Sequence, residues 1–72
     1  MKTSIDILDA IAARHGGCSD YRIAKLTGIG AGKISAVRNG RCSLSRAHCK
    51  RAALALGVEA GALIAITQAE RE

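Results

Sequence analysis

Eight basic side chains stand in the middle of this 72-residue chain without an acidic neighbour. No Asp or Glu occurs between Tyr21 and Val58, so this window carries +8, while the flanks hold six acids against three bases and carry −3. The eight basic residues are Arg22, Lys25, Lys33, Arg38, Arg41, Arg46, Lys50 and Arg51. Positive charge confined to one segment is typical of a surface that binds nucleic-acid phosphates. A solvated surface that only aids solubility is the alternative interpretation.

The cysteines and histidines do not form a recognisable metal pattern. The spacings His15-x2-Cys18 and Cys42-x5-His48-Cys49 lack the paired ligands of zinc sites. We therefore expect no metal and no cofactor. The odd number of cysteines, with no signal-peptide pattern at the start of the sequence, favours reduced thiols and a cytoplasmic location. Cys49, at an apolar position of a predicted helix, is expected in the core.

No combination of residues indicates catalysis. No Ser or Cys nucleophile can be named together with a base and an orienting group, so we expect that the protein is not an enzyme. His15 is instead expected near the carboxyl end of the first helix, where a cation is favourable. The longest apolar stretch, residues 52–67, is interrupted by Glu59 and Gly61 and is too short to span a bilayer. No membrane association is predicted.

Composition predicts an all-α fold in a single domain, residues 1–72. The chain has no Pro, Phe or Trp and only one Tyr, so its core must consist of Ile, Leu, Val and Ala. Alanine has the highest helix propensity and allows helices to pack closely. A chain of this length supports one domain.

Capping residues and apolar spacing predict five helices. Thr3 and Asp6 form a variant of the capping box at the start of the first helix, which ends at residues 14–17. Ser19 or Asp20 caps the second helix, which runs to about Thr27. The third runs from near Gly30 to residues 39–40. The fourth covers about 45–56, with Ser43 or Ser45 as its cap, and the fifth covers about 59–71.

The second and third helices form a predicted helix-turn-helix over about residues 20–40. Ile23, Leu26, Ile34 and Val37 supply short apolar stripes on either side of Gly28. A glycine at this junction allows a sharp turn. Two short helices joined in this way are the helix-turn-helix arrangement.

These residues resemble phage Cro/CI-type DNA-binding domains. The run Ile23-Ala24-x2-Thr27-Gly28-Ile29-x4-Ile34-Ser35-x3-Asn39-Gly40 is similar to the family pattern Leu-Ala-x3-Gly-Val-(Ser/Thr)-x3-Ile-Ser-x-(Trp/Leu)-Glu-x-Gly. The segment Ala52-Ala53-Leu54-Ala55-Leu56-Gly57-Val58 is similar to the family's Ile-Ala-x2-Leu-Gly-Val. The resemblance covers roughly two-thirds of the chain. It implies a compact five-helix bundle of the lambda-repressor type, in which the third helix enters the major groove.

The resemblance also implies the contacts with DNA. Ala31, Gly32 and Ala36 should face the bases, and Lys33 and Arg41 should hold phosphates. The further candidates for DNA contact are Ser19, Tyr21, Arg22, Ser35, Arg38 and Asn39. For Tyr21 two interpretations stay open, since its ring could pack at the edge of the core or its hydroxyl could bind a phosphate.

The third helix departs from the family in two ways. Ala31, Gly32 and Ala36 stand where the family often has long polar side chains, which favours readout of DNA shape, phosphates and thymine methyl groups. Glycines at positions 30 and 32 in the first turn should weaken the helix by roughly 1 kcal/mol each. Arg38 stands where the family usually has an acid, so we expect that an internal ion pair is lost and that positive charge is added beside the DNA.

The partners expected are double-stranded DNA and a second copy of the chain. The fifth helix is apolar around most of its circumference. It therefore either packs against the domain over more of its surface than usual or contacts a second subunit. The residues assigned to a dimer interface are Leu54, Leu63, Ile64 and Ile66. The predicted function is transcriptional regulation of the repressor type in the cytoplasm of a bacterial host cell, in a phage, prophage or bacterial setting. The alternative is a helix-turn-helix-fold protein that acts by binding another regulator or a phage component.

Overall fold

Five α-helices make up the secondary structure, and the chain contains no strand. A computed structural model describes residues 1–72. The helices are α1 (Ser4–Arg14), α2 (Asp20–Thr27), α3 (Ala31–Arg38), α4 (Arg46–Leu56) and α5 (Ala60–Arg71). The predicted all-α class is confirmed. None of the five helices has the length and apolar character needed to cross a membrane.

Side chains cap three of the helices. Thr3 and Asp6 form a reciprocal capping box at α1, as predicted. There the backbone N–H groups of Lys2 and Thr3 bind the Asp6 carboxylate and hold its pKa below the ordinary value, the bond from Lys2 having the larger effect. Ser19 and Ser45 cap α2 and α4 by accepting a backbone N–H three residues on. Local spacing therefore sets where these three helices begin.

One apolar core joins all five helices, and α1 lies at its centre in contact with each of the other four. The buried apolar residues are Ile7, Leu8, Ile11, Ile23, Ile29, Ile34, Val37, Leu44, Cys49, Ala52, Ala53, Leu56 and Leu63. The prediction that Cys49 is a core residue is confirmed. In contrast to α1, α3 packs only against α1 and α2. Much of its circumference is therefore left at the surface.

The connection between α2 and α3 comprises only residues 28–30. Gly28 ends α2 in the left-handed conformation, with φ of 76°. The buried Thr27 hydroxyl donates to the Ile23 carbonyl at 2.8 Å and accepts the Ile29 N–H at 3.1 Å. Ile29 is itself buried in the core. These bonds and this anchor set the direction in which α3 leaves the turn.

A buried hydroxyl ties the loop after α3 to both ends of the chain. Ser4 donates its hydroxyl to Glu70 Oε1 at 2.6 Å and accepts the Leu44 N–H at 2.9 Å. Arg71 Nη1 donates to the carbonyl of the same Leu44 at 3.2 Å. Residues of α1 and α5 therefore hold the α3–α4 loop in place. Because its partners lie far apart in sequence, this set of bonds was not predicted.

Candidate nucleic-acid interface

The outward face of α3 is small and uncharged. Ile34 and Val37 turn into the core, whereas Ala31, Gly32 and Ser35 are exposed. Ala36, the third residue expected to face the bases, is half-buried. No long side chain stands on this face, so a macromolecule could approach the α3 backbone closely.

Only one of the two glycines lies within α3. Gly30 is the N-cap, with extended backbone at φ −61° and ψ 141°, and Gly32 lies inside the helix. The expectation that both glycines weaken the first turn is therefore wrong, because a residue at the cap does not adopt helical dihedrals. A Cβ added at Gly32 would meet no atom within 4 Å. Its small size is not required by packing within the domain.

At the carboxyl end of α3, Asn39 is exposed but its side chain already has a partner. Its amide donates to the Ser35 carbonyl at 2.9 Å. Gly40 follows in the left-handed conformation, as predicted, with φ of 73°. The exposed Arg41 donates its backbone N–H to the Ala36 carbonyl at 2.9 Å. The side chain of Arg41 forms no ion pair, so it remains available to a phosphate.

The start of α2 presents three of the predicted residues at the surface. Tyr21 is 68% exposed, and Lys25 Nζ lies 5.3 Å from the centre of its ring. The interpretation that this ring packs at the edge of the core is therefore wrong, while a phosphate contact by its hydroxyl stays a prediction. The Ser19 hydroxyl accepts the Arg22 N–H at 3.3 Å as the helix cap. Arg22 has an exposed side chain with no acidic partner.

Arg38 overturns one expectation. Its guanidinium binds Asp20 through Nε and Nη2 and binds Asp9 through Nη1, and these bonds, those to Asp20 foremost, raise its pKa. The expectation that Arg38 adds positive charge beside the DNA is wrong, because α1 and α2 each supply an acid that pairs with it. The loss of the ion pair made by the family's acid stays a prediction. Two carboxylates more than offset the charge of this arginine. Its contact with DNA stays a prediction, but it adds no free positive charge to the surface.

The opposite flank of α3 carries positive charge without an acid. Lys33 lies there, and its charge and that of Arg51 of α4 both act on the imidazole of His48. The pKa of His48 falls below its ordinary 6.5 because of burial first, and then because of Lys33 and Arg51. Neither Lys33 nor Arg51 forms an ion pair, since the only two ion pairs of the protein belong to Arg38. The two flanks of α3 therefore differ in charge.

His48 and Arg51 were absent from the site predicted from the sequence. Their spacing of three residues places them on one face of a helix, which the sequence does signal. Their proximity to Lys33 is a tertiary feature. Arg51 reaches the α2–α3 turn, where its Nη1 lies 2.7 Å from the position that a Cβ of Gly28 would take. A Cβ at position 28 would therefore displace the guanidinium.

The four residues assigned to a dimer interface have different environments. Leu63 is fully buried and belongs to the core, so its assignment to an interface is wrong. The rotation of α5 is set by packing against α1 and α4, which turns Leu63 inward. Ile64 and Ile66 are half-buried against the core, and Leu54 of α4 is 86% exposed. Only the last three can contact a partner.

The largest groove lies away from the outward face of α3. It has a volume of about 580 Å³ and runs beneath the α3–α4 loop, where Cys42, Ser43, Glu70 and Arg71 line it. Glu70 is bound to Ser4, and Arg71 donates to Ser43 and to the Leu44 carbonyl. These polar groups hold the loop. No three His, Cys, Asp or Glu side chains come together as a metal ion would require.

Comparison with known proteins found no matching family model, curated protein or solved structure. The resemblance to Cro/CI-type domains stays a prediction that rests on the residues quoted for it. The geometry of α3 and its two flanks is therefore the main basis for a functional proposal.

Proposed function

We propose that this protein binds double-stranded DNA by placing α3 in the major groove, and that it regulates transcription as a repressor in a phage, prophage or bacterial setting. The observation that carries the proposal is the contrast around α3. An exposed face without bulk or charge is bordered by Lys33 and Arg41, neither of which has an acidic partner. Phosphates on both sides of a groove would meet cations, while the duplex would meet little steric resistance.

The composition of this face determines the kind of recognition that we propose. Ala31, Gly32 and Ala36 have no side-chain donor or acceptor, and the Asn39 amide is bound to Ser35. Methyl groups could contact thymine, but few hydrogen bonds to base edges are possible. Selectivity would therefore depend on the shape of the groove and on phosphate positions.

The salt dependence of binding tests the phosphate contacts. Lys33→Ala and Arg41→Ala should each flatten the slope of log affinity against log salt by about one unit, because each removes one phosphate contact. Arg14→Ala is the matched control, since it removes a cation from the far end of α1. Fluorescence anisotropy with a labelled duplex over a salt series measures the slope. Unchanged slopes in both test variants would refute the assignment.

A charge on the face of α3 provides the second arm of this test. Ala31→Glu and Gly32→Glu place a carboxylate on the exposed surface, so circular dichroism should show an intact fold. Both variants should lose binding to DNA through repulsion and bulk. Full affinity in both would exclude α3 as the element that enters the groove.

We also propose that two copies bind together. One copy with few base contacts discriminates poorly among DNA sequences. A two-fold dimer would require two half-sites about one helical turn apart, near 34 Å. The outward side of α5 offers an uncharged strip in which Ala62, Ala65 and Ala69 are exposed beside Ile66. Met1 and Lys2 border this strip in a shallow groove. Residues 59–72 hold three acids against one base, so contact there avoids the repulsion of two basic faces.

Binding to another protein is a second candidate function, and the exposure of Leu54 favours it. This side chain is 86% exposed, on the side of α4 away from the core. A regulator or phage component could cover it. The DNA titration separates the two candidates. A protein that works through Leu54 alone would bind random and specific duplexes weakly, and Gly32→Glu would leave that weak affinity unchanged.

A further inference from the structure

We propose that Lys33, His48 and Arg51 form a single binding site for one phosphate of the DNA backbone, and that this site binds more tightly once the His48 imidazole is protonated. The inference rests on the proposed DNA-binding function and names a contact within it. It assigns roles to two residues of α4, a helix outside the helix-turn-helix segment. It also predicts a dependence of DNA affinity on pH.

Two helices contribute the three side chains, and the charges of Lys33 and Arg51 both act on the His48 imidazole. Lys33 projects from the flank of α3, and His48 and Arg51 lie three residues apart on α4. The Arg51 guanidinium lies against Gly28, in the turn that leads into α3. The cluster therefore lies next to the amino-terminal half of the helix that is proposed to enter the groove. We infer that a phosphate beside that groove would meet these three side chains.

The electrostatics of the cluster favour an anion. The charged groups that act on His48 are Lys33 from α3 and Arg51 from α4 itself, and no carboxylate from α1, α2 or α5 compensates them. Elsewhere on α3 the contrast is clear, because Arg38 is matched by Asp9 and Asp20. Cations held close together without a counter-ion repel one another, and a phosphate would relieve this repulsion. Arginine and lysine can then both bind its oxygens.

The His48 ring is oriented for such a role. Its Nδ1 lies 2.9 Å from the Ser45 hydroxyl, the same hydroxyl that caps α4. This contact occupies one ring nitrogen and leaves Nε2 for an external acceptor. When both nitrogens carry protons, the imidazolium can donate from Nε2 to a phosphate oxygen while Nδ1 donates to Ser45.

The sign of the pH effect follows from the charges. In the free protein the pKa of His48 lies below 6.5, so the ring is neutral at pH 7.5. A phosphate bound next to the ring stabilises the imidazolium and raises this pKa in the complex. Affinity for DNA should therefore rise as the pH falls through the pKa of the complex, and it should level off below the pKa of the free protein. One proton taken up on binding gives at most about a tenfold rise in affinity for each pH unit.

The experiment measures affinity for a short duplex of random sequence between about pH 5.5 and pH 8 at constant ionic strength, a range chosen to span the ordinary histidine pKa. The unmodified protein should bind several-fold more tightly at the acid end. His48→Gln should lose most of this dependence and keep the helical circular dichroism signal. His15→Gln should behave as the unmodified protein, because His15 lies at the end of α1 with its Nε2 3.2 Å from the Ala55 carbonyl.

Arg51→Gln provides a second variant that does not alter the imidazole. It should weaken binding and flatten the salt slope by no more than the one unit or so expected of Lys33→Ala, because both side chains neutralise the same phosphate. Proton NMR should also show the pKa of His48 rising toward 6.5 in the free variant, because a repelling charge is gone. An unchanged pKa of His48 in this variant would show that Arg51 does not act on His48, and it would overturn the single site.

The outcomes distinguish the two proposals. If the unmodified protein binds no duplex at any pH, the DNA-binding function fails and the site fails with it. If it binds but His48→Gln retains the full pH dependence, only the phosphate site of Lys33, His48 and Arg51 is overturned. If the unmodified protein binds DNA with an affinity that does not depend on pH, the phosphate site is likewise overturned while the DNA-binding function stands.

Discussion

Two glycines, one in the α2–α3 turn and one in the first turn of α3, should respond to the same substitution with opposite signs. Gly32 lies in the first turn of α3, and a Cβ there would meet no atom within 4 Å. Gly28 ends α2 with φ of 76°, a conformation that alanine adopts only with strain. We therefore expect Gly32→Ala to stabilise the fold and Gly28→Ala to destabilise it.

The magnitudes follow from backbone conformation. Alanine exceeds glycine in a helix interior by about 1 kcal/mol, and a position in the first turn should yield about half of that or more. Since no contact is added, the gain comes from reduced freedom of the unfolded chain. The left-handed conformation at Gly28 costs alanine about 1–2 kcal/mol. There the new Cβ would also lie 2.7 Å from Arg51 Nη1, which must move aside.

Urea unfolding followed by far-UV circular dichroism measures both effects. The urea concentration at the midpoint of unfolding should rise for Gly32→Ala and fall for Gly28→Ala. The slope of the unfolding free energy against urea concentration should be unchanged. In heating experiments, a gain of 1 kcal/mol corresponds to about 4–8 °C for a chain of this size. A less stable Gly32→Ala, or a Gly28→Ala as stable as the unmodified protein, would refute the dihedral argument.

Gly61 is a matched control for the effect on DNA. It occupies in α5 the same position that Gly32 has in α3, the second residue of the helix, and a Cβ there also meets nothing within 4 Å. Gly61→Ala should give a similar stabilisation and leave DNA affinity unchanged. Gly32→Ala should weaken binding, because its methyl group stands on the face proposed to approach the bases. Equal DNA affinity in the two variants would contradict a close approach of backbone to the duplex at Gly32.

Two further predictions concern packing and assembly. Ser4→Ala should destabilise the fold by about 1–3 kcal/mol in urea unfolding, because the buried Leu44 N–H loses its acceptor. Ser43→Ala alters an exposed contact and should change the free energy of unfolding by less than about 0.5 kcal/mol. Equal effects of the two substitutions would contradict the buried bond. Ala65→Lys should give a folded monomer in sedimentation equilibrium that keeps its affinity for random DNA but loses affinity for an operator with two half-sites. Leu54→Lys should remain dimeric. If the unmodified protein is monomeric at tens of micromolar, both free and on DNA, the dimer is excluded.

Helix ends and the all-α class could be predicted from the sequence because their causes are local. A cap joins residues three apart, as Thr3 and Asp6 do, and its geometry does not depend on the remaining chain. The left-handed glycine after α3 is determined in the same way by the residues around it. The segregation of the basic residues is likewise a property of the sequence alone. It indicated an anion-binding surface without locating it.

Tertiary structure decided which charges remain free and which apolar residues remain exposed. Arg38 meets Asp9 and Asp20 only because α1 and α2 converge on the end of α3. The charges of Lys33 and Arg51 both act on His48 only because the fold brings residues of α3 and α4 toward each other. Leu63 and Leu54 are equally apolar, yet one is buried and the other is 86% exposed. The physical reason is common to all of these. Periodicity shows that a helix has an apolar face, but the rotation of that helix against its neighbours is set by how all five sets of side chains fill one core.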